Sequence, residues 1–235
     1  MSPRTLAEIC VMDAPLWRRL ELYVETQREE GSPFAAASDE LVARLKAGVV
    51  GERAPAVGET MPDVILPDQH GHLVGLHALA ETGPVVLSFN RGHWCPFCHI
   101  ELTALAEAHA DLVELGAKVV SIMPDRQAYL GRLPDAAASR LTILADIDCG
   151  YSLSLGLVMW LGDRLKDLML GFGVSLEEIH GNRGWMVPVP ATFILDSRAR
   201  VAARAVEHDF RRRMDIEDIK AALASCEANS KRNVT

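Results

Sequence analysis

Two cysteines, Cys95 and Cys98, stand two residues apart where an apolar segment gives way to a helical pattern. The preceding run Val85–Phe89 has the length and composition of a buried strand. Pro96 takes a first-turn position of the following helix, where its missing N–H costs nothing. We therefore predict that Cys95 lies at a strand-to-helix junction, under the unpaired N–H groups of a helix N-terminus.

A helix N-terminus favours thiolate over thiol, because its partial positive charge stabilises the anion. Arg91 and His93 add cationic neighbours to Cys95. One helical turn brings Cys98 back beside Cys95, so the two sulfurs can close a disulfide with little backbone movement. The pattern predicts a redox pair in which Cys95 is the exposed attacking sulfur and Cys98 is the resolving sulfur.

Composition narrows the classes of partner. The chain has 235 residues and a net charge of −8, which gives no basic footprint for nucleic acid or for an anionic membrane surface. No apolar run reaches the roughly 18 residues of a spanning helix. Residues 1–20 lack the apolar core of a secretory signal, so we expect a cytoplasmic location. In a reducing compartment the odd count of 5 cysteines favours one reactive pair over a disulfide framework.

Strands alternate with helices along most of the chain, which predicts an α/β layer fold. The helix that begins at Pro96 has a suitable length for a right-handed crossover between two parallel strands. Asp215 caps a final helix. The predicted strands are residues 64–66, 73–76, 85–89, 118–123, 141–145, 190–196 and 200–206.

Residues 1–50 are predicted to form an N-terminal helical arm, distinct from a main domain over residues 51–235. Asp13 begins a first helix, which ends at Gly31, and Ser38 caps a second helix. Neither helix has a wide apolar stripe. We therefore expect the arm to pack either on the main domain or on the second subunit of a homodimer.

An insertion at about residues 158–189 interrupts the alternation of strands and helices. An apolar stripe predicts a helix from Val158 to Phe172, and Ser175 opens a capping box for a short second helix. Residues 182–189 are predicted as a loop. Three alternatives stay open for the insertion. It covers the cysteines as a lid, it forms a dimer surface, or it contains an ordinary helix that packs one face on the core and exposes the other.

The motif Trp-Cys-Pro-Phe-Cys at residues 94–98, with Val-Pro-Ala-Thr-Phe at residues 189–193 far downstream, resembles the thioredoxin superfamily. Further segments are similar to the peroxiredoxin-like branch of the alkyl hydroperoxide reductase/thiol-specific antioxidant (AhpC/TSA) family: Gly83–Gly92, Ala145–Asp148 and Leu155–Val158. The resemblance covers roughly residues 55–225. It implies a thioredoxin-like fold, with a central mixed sheet flanked by helices, and a cis-proline at Pro190 that faces the cysteine pair.

The chain departs from the peroxiredoxin pattern at two points. Peroxiredoxins place Pro-x-x-x-Thr-x-x-Cys at the nucleophile, whereas Ser88 and Gly92 stand at the Pro and Thr positions here. The hydroxyl that orients the peroxide is therefore absent. Pro190 replaces the later active-site arginine, which leaves Arg91 as the candidate for the missing positive charge.

The resemblance implies an antioxidant thiol peroxidase. Cys95 would attack a hydroperoxide and become a sulfenic acid, and Cys98 would condense with it to a disulfide. An external thiol such as thioredoxin or glutathione would then restore the pair. The alternative is a thioredoxin-type oxidoreductase that acts on protein disulfides. The missing Thr and Arg favour that alternative, and the long insertion disfavours it. Arg91, Trp94, Pro96 and Pro190 are the expected supporting residues.

Non-enzymatic alternatives are a redox sensor and a metal- or haem-binding protein. The segment Cys95–His99 matches the haem attachment pattern C-x-x-C-H, and zinc could take His93, Cys95, Cys98 and His99. No second spaced pair of ligands is present, so we expect neither a metal nor a cofactor. The remaining cysteines, Cys10, Cys149 and Cys226, are expected to be structural. The run Arg211–Arg213 is predicted to be solvated.

Overall fold

The structure, a computed structural model, describes residues 4–232, apart from the side chains of Ala136 and of residues 227–232. Its strands are β1 (Ile65–Pro67), β2 (Leu73–Gly75), β3 (Val85–Phe89), β4 (Lys118–Met123), β5 (Thr142–Ala145), β6 (Val158–Trp160), β7 (Met186–Pro188), β8 (Ala191–Leu195) and β9 (Val201–Val206). Its helices are α1 (Leu6–Cys10), α2 (Leu16–Glu29), α3 (Pro33–Lys46), α4 (Leu76–Ala80), α5 (Pro96–Glu107), α6 (His109–Glu114), α7 (Gln127–Leu130), α8 (Asp135–Arg140), α9 (Gly150–Ser154), α10 (Asp163–Gly171), α11 (Leu176–His180) and α12 (Ile216–Arg232).

A five-stranded mixed sheet lies at the centre, in the order β5-β4-β3-β8-β9. Strand β3 is parallel to β4 on one side and antiparallel to β8 on the other, and all five of its residues are buried. Helices α5 and α6 connect β3 to the parallel β4. Residues 90–95 form the loop that leads from the carboxyl end of β3 to the start of α5, and Cys95 is its last residue. This arrangement confirms the predicted α/β fold.

Alternate residues of β3 pack against opposite apolar layers. Leu87 lies in a cluster with Phe193 and Tyr151 on one face of the sheet. Val86 lies in a cluster with Leu102 of α5 and other residues of α5 and α12 on the opposite face. With both faces covered by apolar side chains, β3 is held rigidly, and the residues that follow it are fixed in position.

The structure corrects the predicted form of the insertion. Residues Val158–Trp160 are not helical but form β6, which pairs antiparallel with β7 in the segment predicted as a loop. The helix begins only at Asp163, after Gly162 with a φ of +89°. A strand of three residues is too short to show an alternating pattern, and its partner lies far along the chain, so the apolar stripe was misread as one helix.

The arm packs on the main domain. Arg19 of α2 pairs with Glu107 at the end of α5, at 2.8 Å, and the ring of Tyr23 meets that of Phe97 edge-on, with centroids 5.1 Å apart. The second arm helix begins at Pro33 and contains Ser38 as a buried interior residue. Ser38 is therefore not the predicted cap, because a proline in the first turn starts the helix earlier. Helix α1 was not predicted.

No helix within residues 4–232 has the length and apolar character needed to span a membrane.

The predicted helix after the cysteines is divided in two, since Ala108 ends α5 before α6 begins.

Candidate active site

Cys95 is the N-cap residue of α5, at the predicted strand-to-helix junction. Its carbonyl oxygen accepts hydrogen bonds from the backbone N–H groups of Cys98 and His99, both at 3.0 Å. This first turn places Cys98 one helical turn beyond Cys95. The two cysteines are not joined by a disulfide, so both carry free thiols.

Both cysteines are fully buried, each 0 % exposed. The prediction of an exposed attacking sulfur is therefore wrong. The cover comes from three separate parts of the chain, the arm, the insertion and the segment after β9, which the local sequence pattern around the cysteines could not reveal. The apolar cluster around the pair includes Leu16, Leu20, Leu41, Phe97, Met159, Leu165, Trp185 and Phe210.

Arg91 is the side chain that contacts the sulfur of Cys95. Its Nη2 donates to Cys95 Sγ at 2.9 Å, and its backbone N–H donates to Cys98 Sγ at 3.4 Å. The guanidinium lies 4.0 Å from the ring centroid of Phe210 and 5.4 Å from that of Trp94. These aromatic faces hold the cation in place where water is largely excluded.

Arg213 is a second cation at the pair, and the sequence analysis missed it. Its Nη2 lies 3.9 Å from Cys98 Sγ, and its Nε donates to Glu101 at 2.6 Å. The Arg213 side chain is 1 % exposed, so the predicted solvated run is wrong at this position. Arg211 is also turned inward and pairs with Asp209, whereas Arg212 is exposed. A basic run in sequence does not show which of its members folds back.

The environment separates the acidities of the two thiols. Burial by itself raises the pKa of Cys95, but the hydrogen bond from Cys98 and the charges of Arg91 and Arg213 outweigh it. The pKa of Cys95 is therefore well below its ordinary value. Burial and the neighbouring Cys95 sulfur raise the pKa of Cys98 well above its ordinary value. Cys95 is therefore the more acidic of the two thiols, and Cys98 is the one that holds its proton more strongly.

A buried polar network lies behind the pair. Glu101 accepts a hydrogen bond from Ser88 Oγ at 2.8 Å, and the side-chain amide of Asn90 donates to Ser88 at 2.9 Å and to Ser121 at 3.1 Å. Ser88 takes the position of the peroxiredoxin proline, and here it links the central strand to Glu101. A polar residue inside the apolar run of β3 was the signal that could have revealed this network.

Gly92 stands where peroxiredoxins carry a threonine, and the structure gives the reason. Its φ is +131°, a conformation that side chains rarely adopt. A Cβ added there would lie 2.6 Å from Trp94 Nε1 and closer still to a carboxylate oxygen of Asp125. The space that a threonine hydroxyl would need is already filled.

Asp125 connects residues 90–95, the loop between β3 and α5 that is called the cysteine loop below, to the insertion. Its Oδ2 accepts the backbone N–H of His93 at 2.8 Å and lies 2.7 Å from His93 Nδ1. Its Oδ1 lies 3.4 Å from Nε2 of His180, at the end of α11. Burial by itself raises the pKa of Asp125. The contacts with His180 and His93 lower it by more than burial raises it, so the pKa lies below its ordinary value. His93 therefore contacts Asp125, and no contact between His93 and Cys95 was found.

The other supporting residues surround the loop. Trp94 is half-buried against Arg91, and Pro96 opens α5 as predicted. Pro190 is buried just before β8, and the pairing of Phe89 with Ala191 puts it beside the end of β3. Residues 4–232 contain no cis peptide bond, so the implied cis-proline is wrong for this chain. The backbone N–H of the preceding residue, Val189, donates to the carbonyl oxygen of Leu157 at 2.7 Å.

His99, a ligand in both the metal and the haem alternatives, is directed at the backbone of the cysteine loop. Nε2 of His99 contacts the carbonyl oxygen of His93. Across the part of the chain that the structure describes, no group of three or more His, Cys, Asp and Glu side chains is arranged to hold a metal ion. Cys149 has the expected inert environment, because burial and the charges of Asp146 and Asp148 raise its pKa to about 12.

A mixed sheet whose central strand leads through a two-cysteine segment into a flanking helix defines the thioredoxin-like fold. The sequence model of the AhpC/TSA family matches residues 57–204, which is more than half of the chain. The chain therefore belongs to the AhpC/TSA family, and it is an enzyme of the thiol peroxidase class. No curated protein matches the chain.

Solved structures of peroxiredoxins are similar in fold. Peroxidoxin BcpB from Mycobacterium tuberculosis is 21 % identical, with a TM-score of 0.56 over 73 % of this chain and 97 % of that one. Reduced Prx3 from Vibrio vulnificus in complex with H2O2 is 22 % identical, with a TM-score of 0.55 over 72 % and 98 %. AhpC from Enterococcus faecalis is 13 % identical, with a TM-score of 0.58 over 76 % and 96 %. At these identities the likeness establishes the fold.

Proposed function

We propose that the protein reduces hydroperoxides, with Cys95 as the attacking thiolate and Cys98 as the resolving thiol. The observation that carries this proposal is the 2.9 Å contact between Arg91 Nη2 and Cys95 Sγ in a fully buried site. A charge-assisted contact of this kind stabilises the thiolate, which is the nucleophilic form of cysteine.

The reaction has two chemical steps. The Cys95 thiolate attacks the terminal peroxide oxygen, the O–O bond breaks, and the departing alkoxide takes a proton from solvent and leaves as an alcohol. Cys95 is then a sulfenic acid. Cys98 attacks its sulfur, an S–S bond forms, and the S–O bond breaks with the hydroxyl leaving as water. An external dithiol or thiol, such as thioredoxin or glutathione, returns two electrons to the disulfide.

Arg91 can also serve the first step directly. In the peroxiredoxin pattern a threonine hydroxyl and a separate arginine assist the peroxide, and this chain has neither at those positions. Beyond the hydrogen bond to Cys95, Arg91 has further N–H groups, and a guanidinium carries five donors in a fixed plane. We assign to them the contact with the peroxide oxygens.

Access to the buried pair requires the cover to open. A groove of about 570 Å3 lies between α2 and the segment after β9, and Arg213 is part of its lining. We propose that substrate and reductant approach along this groove when α2 moves outward. Association as a homodimer through the arm or the insertion stays a prediction, as does a cytoplasmic location.

The test is hydroperoxide consumption by the purified protein with a dithiol supplied. Wild type should consume H2O2 or an organic hydroperoxide, Cys95→Ser should abolish consumption, and Cys98→Ser should stop the cycle at a sulfenic acid that a dimedone probe labels. Cys149→Ser is the matched control, because it removes a buried cysteine whose pKa is raised. Absence of consumption with every peroxide and dithiol would refute the proposal.

The second candidate is reduction or formation of protein disulfides, and Gly92 is the observation that favours it. The site has no room for the peroxide-orienting threonine. Insulin reduction distinguishes the two functions. If the protein is a disulfide oxidoreductase, the wild-type protein with a dithiol reduces insulin, which then precipitates, and the Cys98→Ser protein forms a stable mixed disulfide with insulin. A thiol peroxidase with a covered pair leaves insulin intact.

A further inference from the structure

We propose that Arg213 is a positioning residue that makes Cys98 reactive, and that it does so only after Cys95 has been oxidised. The inference deepens the proposed function and rests on it. Its basis is the placement of two buried guanidinium groups, one carboxylate and two sulfurs in one enclosed site.

Arg213 is held rigidly against Cys98. Its Nε donates to Glu101 Oε2 at 2.6 Å, and its Nη1 donates to the carbonyl oxygens of Arg212, at 2.7 Å, and of Phe210. The remaining terminal nitrogen, Nη2, lies 3.9 Å from Cys98 Sγ. Glu101 is itself 2 % exposed in its side chain and is fixed by Ser88. Three anchors therefore fix the guanidinium at Cys98.

In the reduced state the charges of the site balance. Arg91 and Arg213 are cations, and Glu101 and the Cys95 thiolate are anions. A second thiolate on Cys98 would add an uncompensated negative charge inside the protein, next to the first one. Buried unpaired charge is strongly disfavoured, so Cys98 keeps its proton.

Oxidation of Cys95 removes one of the two anions. A sulfenic acid is neutral, so Arg91, Arg213 and Glu101 leave the site with one excess positive charge. Deprotonation of Cys98 now restores the balance, and its sulfur is already within reach of Arg213 and of the backbone N–H of Arg91. The proton lost by Cys98 and the hydroxyl lost by Cys95 leave together as water, and the S–S bond forms.

This order of events has a chemical advantage. A resolving cysteine that was ionised from the start would compete with Cys95 for the peroxide and would repel its thiolate. Charge balance suppresses Cys98 during the first step and activates it for the second. The groups that face the pair are Arg91, Arg213, Glu101 and, from the arm, Tyr23, whose pKa burial and the Cys95 charge raise to about 12.

The experiment mimics the two charge states by substitution. Cys95→Asp keeps an anion beside Cys98, and Cys95→Ser replaces it with a neutral group of the sulfenic acid's polarity. The pH dependence of iodoacetamide labelling at Cys98 is followed by mass spectrometry in both. We expect the apparent pKa of Cys98 to be lower in Cys95→Ser than in Cys95→Asp. Labelling of Cys98 at neutral pH should then be about tenfold faster in Cys95→Ser for each pKa unit that separates the two proteins.

Further substitutions in the Cys95→Ser protein test Arg213 itself. Arg213→Gln should slow labelling at neutral pH by about tenfold or more, since a one-unit rise in pKa has that effect, and Arg213→Lys should recover part of the rate. Glu101→Gln should have the opposite effect and accelerate labelling, because it removes the carboxylate that offsets Arg213. Arg212→Gln, at the exposed neighbouring position, is the control and should change nothing.

A merely structural role predicts a different pattern. Loss of either partner of the Arg213–Glu101 pair would then loosen the site and change labelling in the same direction. Equal Cys98 pKa values in the Ser and Asp proteins, or equal effects of Arg212→Gln and Arg213→Gln, would overturn the inference. If Arg213→Gln fails to fold, the sign of the Glu101→Gln effect decides. The labelling requires no peroxide, so its outcome is separable from that of the peroxidase assay.

Discussion

Arg91 and Cys95 are joined by a hydrogen bond of 2.9 Å from the guanidinium to the sulfur, across four residues of one loop. The cation that donates to the Cys95 sulfur is therefore carried by the same loop that carries the thiol. The Arg91 side chain is sandwiched by aromatic rings and is 5 % exposed as a residue.

Arg91→Gln should raise the pKa of Cys95 and make its reactivity depend on alkaline pH. Labelling of Cys95 in wild type should reach its plateau at a lower pH than in the variant, because Arg91 lowers the pKa of that thiol. Below the plateau the rate should rise about tenfold per pH unit in both proteins. Arg198→Gln, at an exposed turn, is the control. A variant whose plateau begins at the same pH as that of wild type would contradict the role of Arg91.

Gly92→Ala should inactivate the protein and destabilise it. The new Cβ requires both a strained backbone, at about 1–3 kcal/mol, and displacement of Trp94 and Asp125 from the cysteine loop. Gly58→Ala is the matched control, since Gly58 also has a positive φ, of +90°, but has no atom within 4 Å of the added Cβ. Urea unfolding should show a larger loss for Gly92. Equal losses in free energy of unfolding would show that backbone strain accounts for the whole effect.

Arg19→Met should loosen the arm. Arg19 donates to the carbonyl oxygens of Cys10, at 2.6 Å, and of Ala14, at 2.8 Å, and it pairs with Glu107. An unpaired buried acceptor costs about 1–3 kcal/mol. Hydrogen exchange in α1 and α2 should accelerate, and labelling of Cys95 should become faster because its cover opens more often.

Arg18→Met provides the comparison for that prediction. Arg18 is adjacent in sequence and pairs only with Glu21 and Glu25 at the surface, where ion pairs contribute little. Its removal should leave exchange and labelling close to wild type. If Arg18→Met and Arg19→Met opened the site equally, the arm would not be held by the buried contacts of Arg19.

Asp125→Asn should reduce stability at neutral pH and change little in acid. The pKa of Asp125 in the folded protein is below its ordinary value, because the contacts with His180 and His93 exceed the effect of burial. Its carboxylate therefore contributes stability that is fully present above the unfolded pKa of about 4 and is lost as the pH falls through the folded pKa.

The measurement is urea unfolding of wild type and Asp125→Asn from neutral pH to about pH 3. The difference in free energy of unfolding should shrink below the unfolded pKa of about 4. The exposed Asp167 provides a control, and Asp167→Asn should track wild type throughout. A difference that does not change with pH would mean that Asp125 acts through shape and not through charge.

The sequence predicted those parts of the fold that depend on local pattern. The five strands of the central sheet were placed within one or two residues, because each is a short apolar run bounded by turn residues. The position of Cys95 at the helix N-terminus followed from the preceding apolar strand and from Pro96 in the first turn of the helix. Both results rest on interactions between residues close in the chain.

The sequence could not predict what distant segments contribute to the site. Arg213, Asp125 and Tyr23 reach the cysteine loop from three different elements, and none of them stands in a recognisable motif. The burial of Cys95 depends on the arm, the insertion and the segment after β9 together, so no single window of the sequence reveals it. Long-range packing decided these features, and a single sequence records packing only indirectly.

The pairing of Trp160 with Met186 brings the two ends of residues 161–185 together at one strand spacing. A short hairpin turn could bridge that gap without displacing any strand of the central sheet. Residues 161–185 supply part of the apolar cover of the two sulfurs. A shorter connection there would open that cover, while Arg91, Cys95 and Cys98, which lie on a separate part of the chain, would keep their contacts.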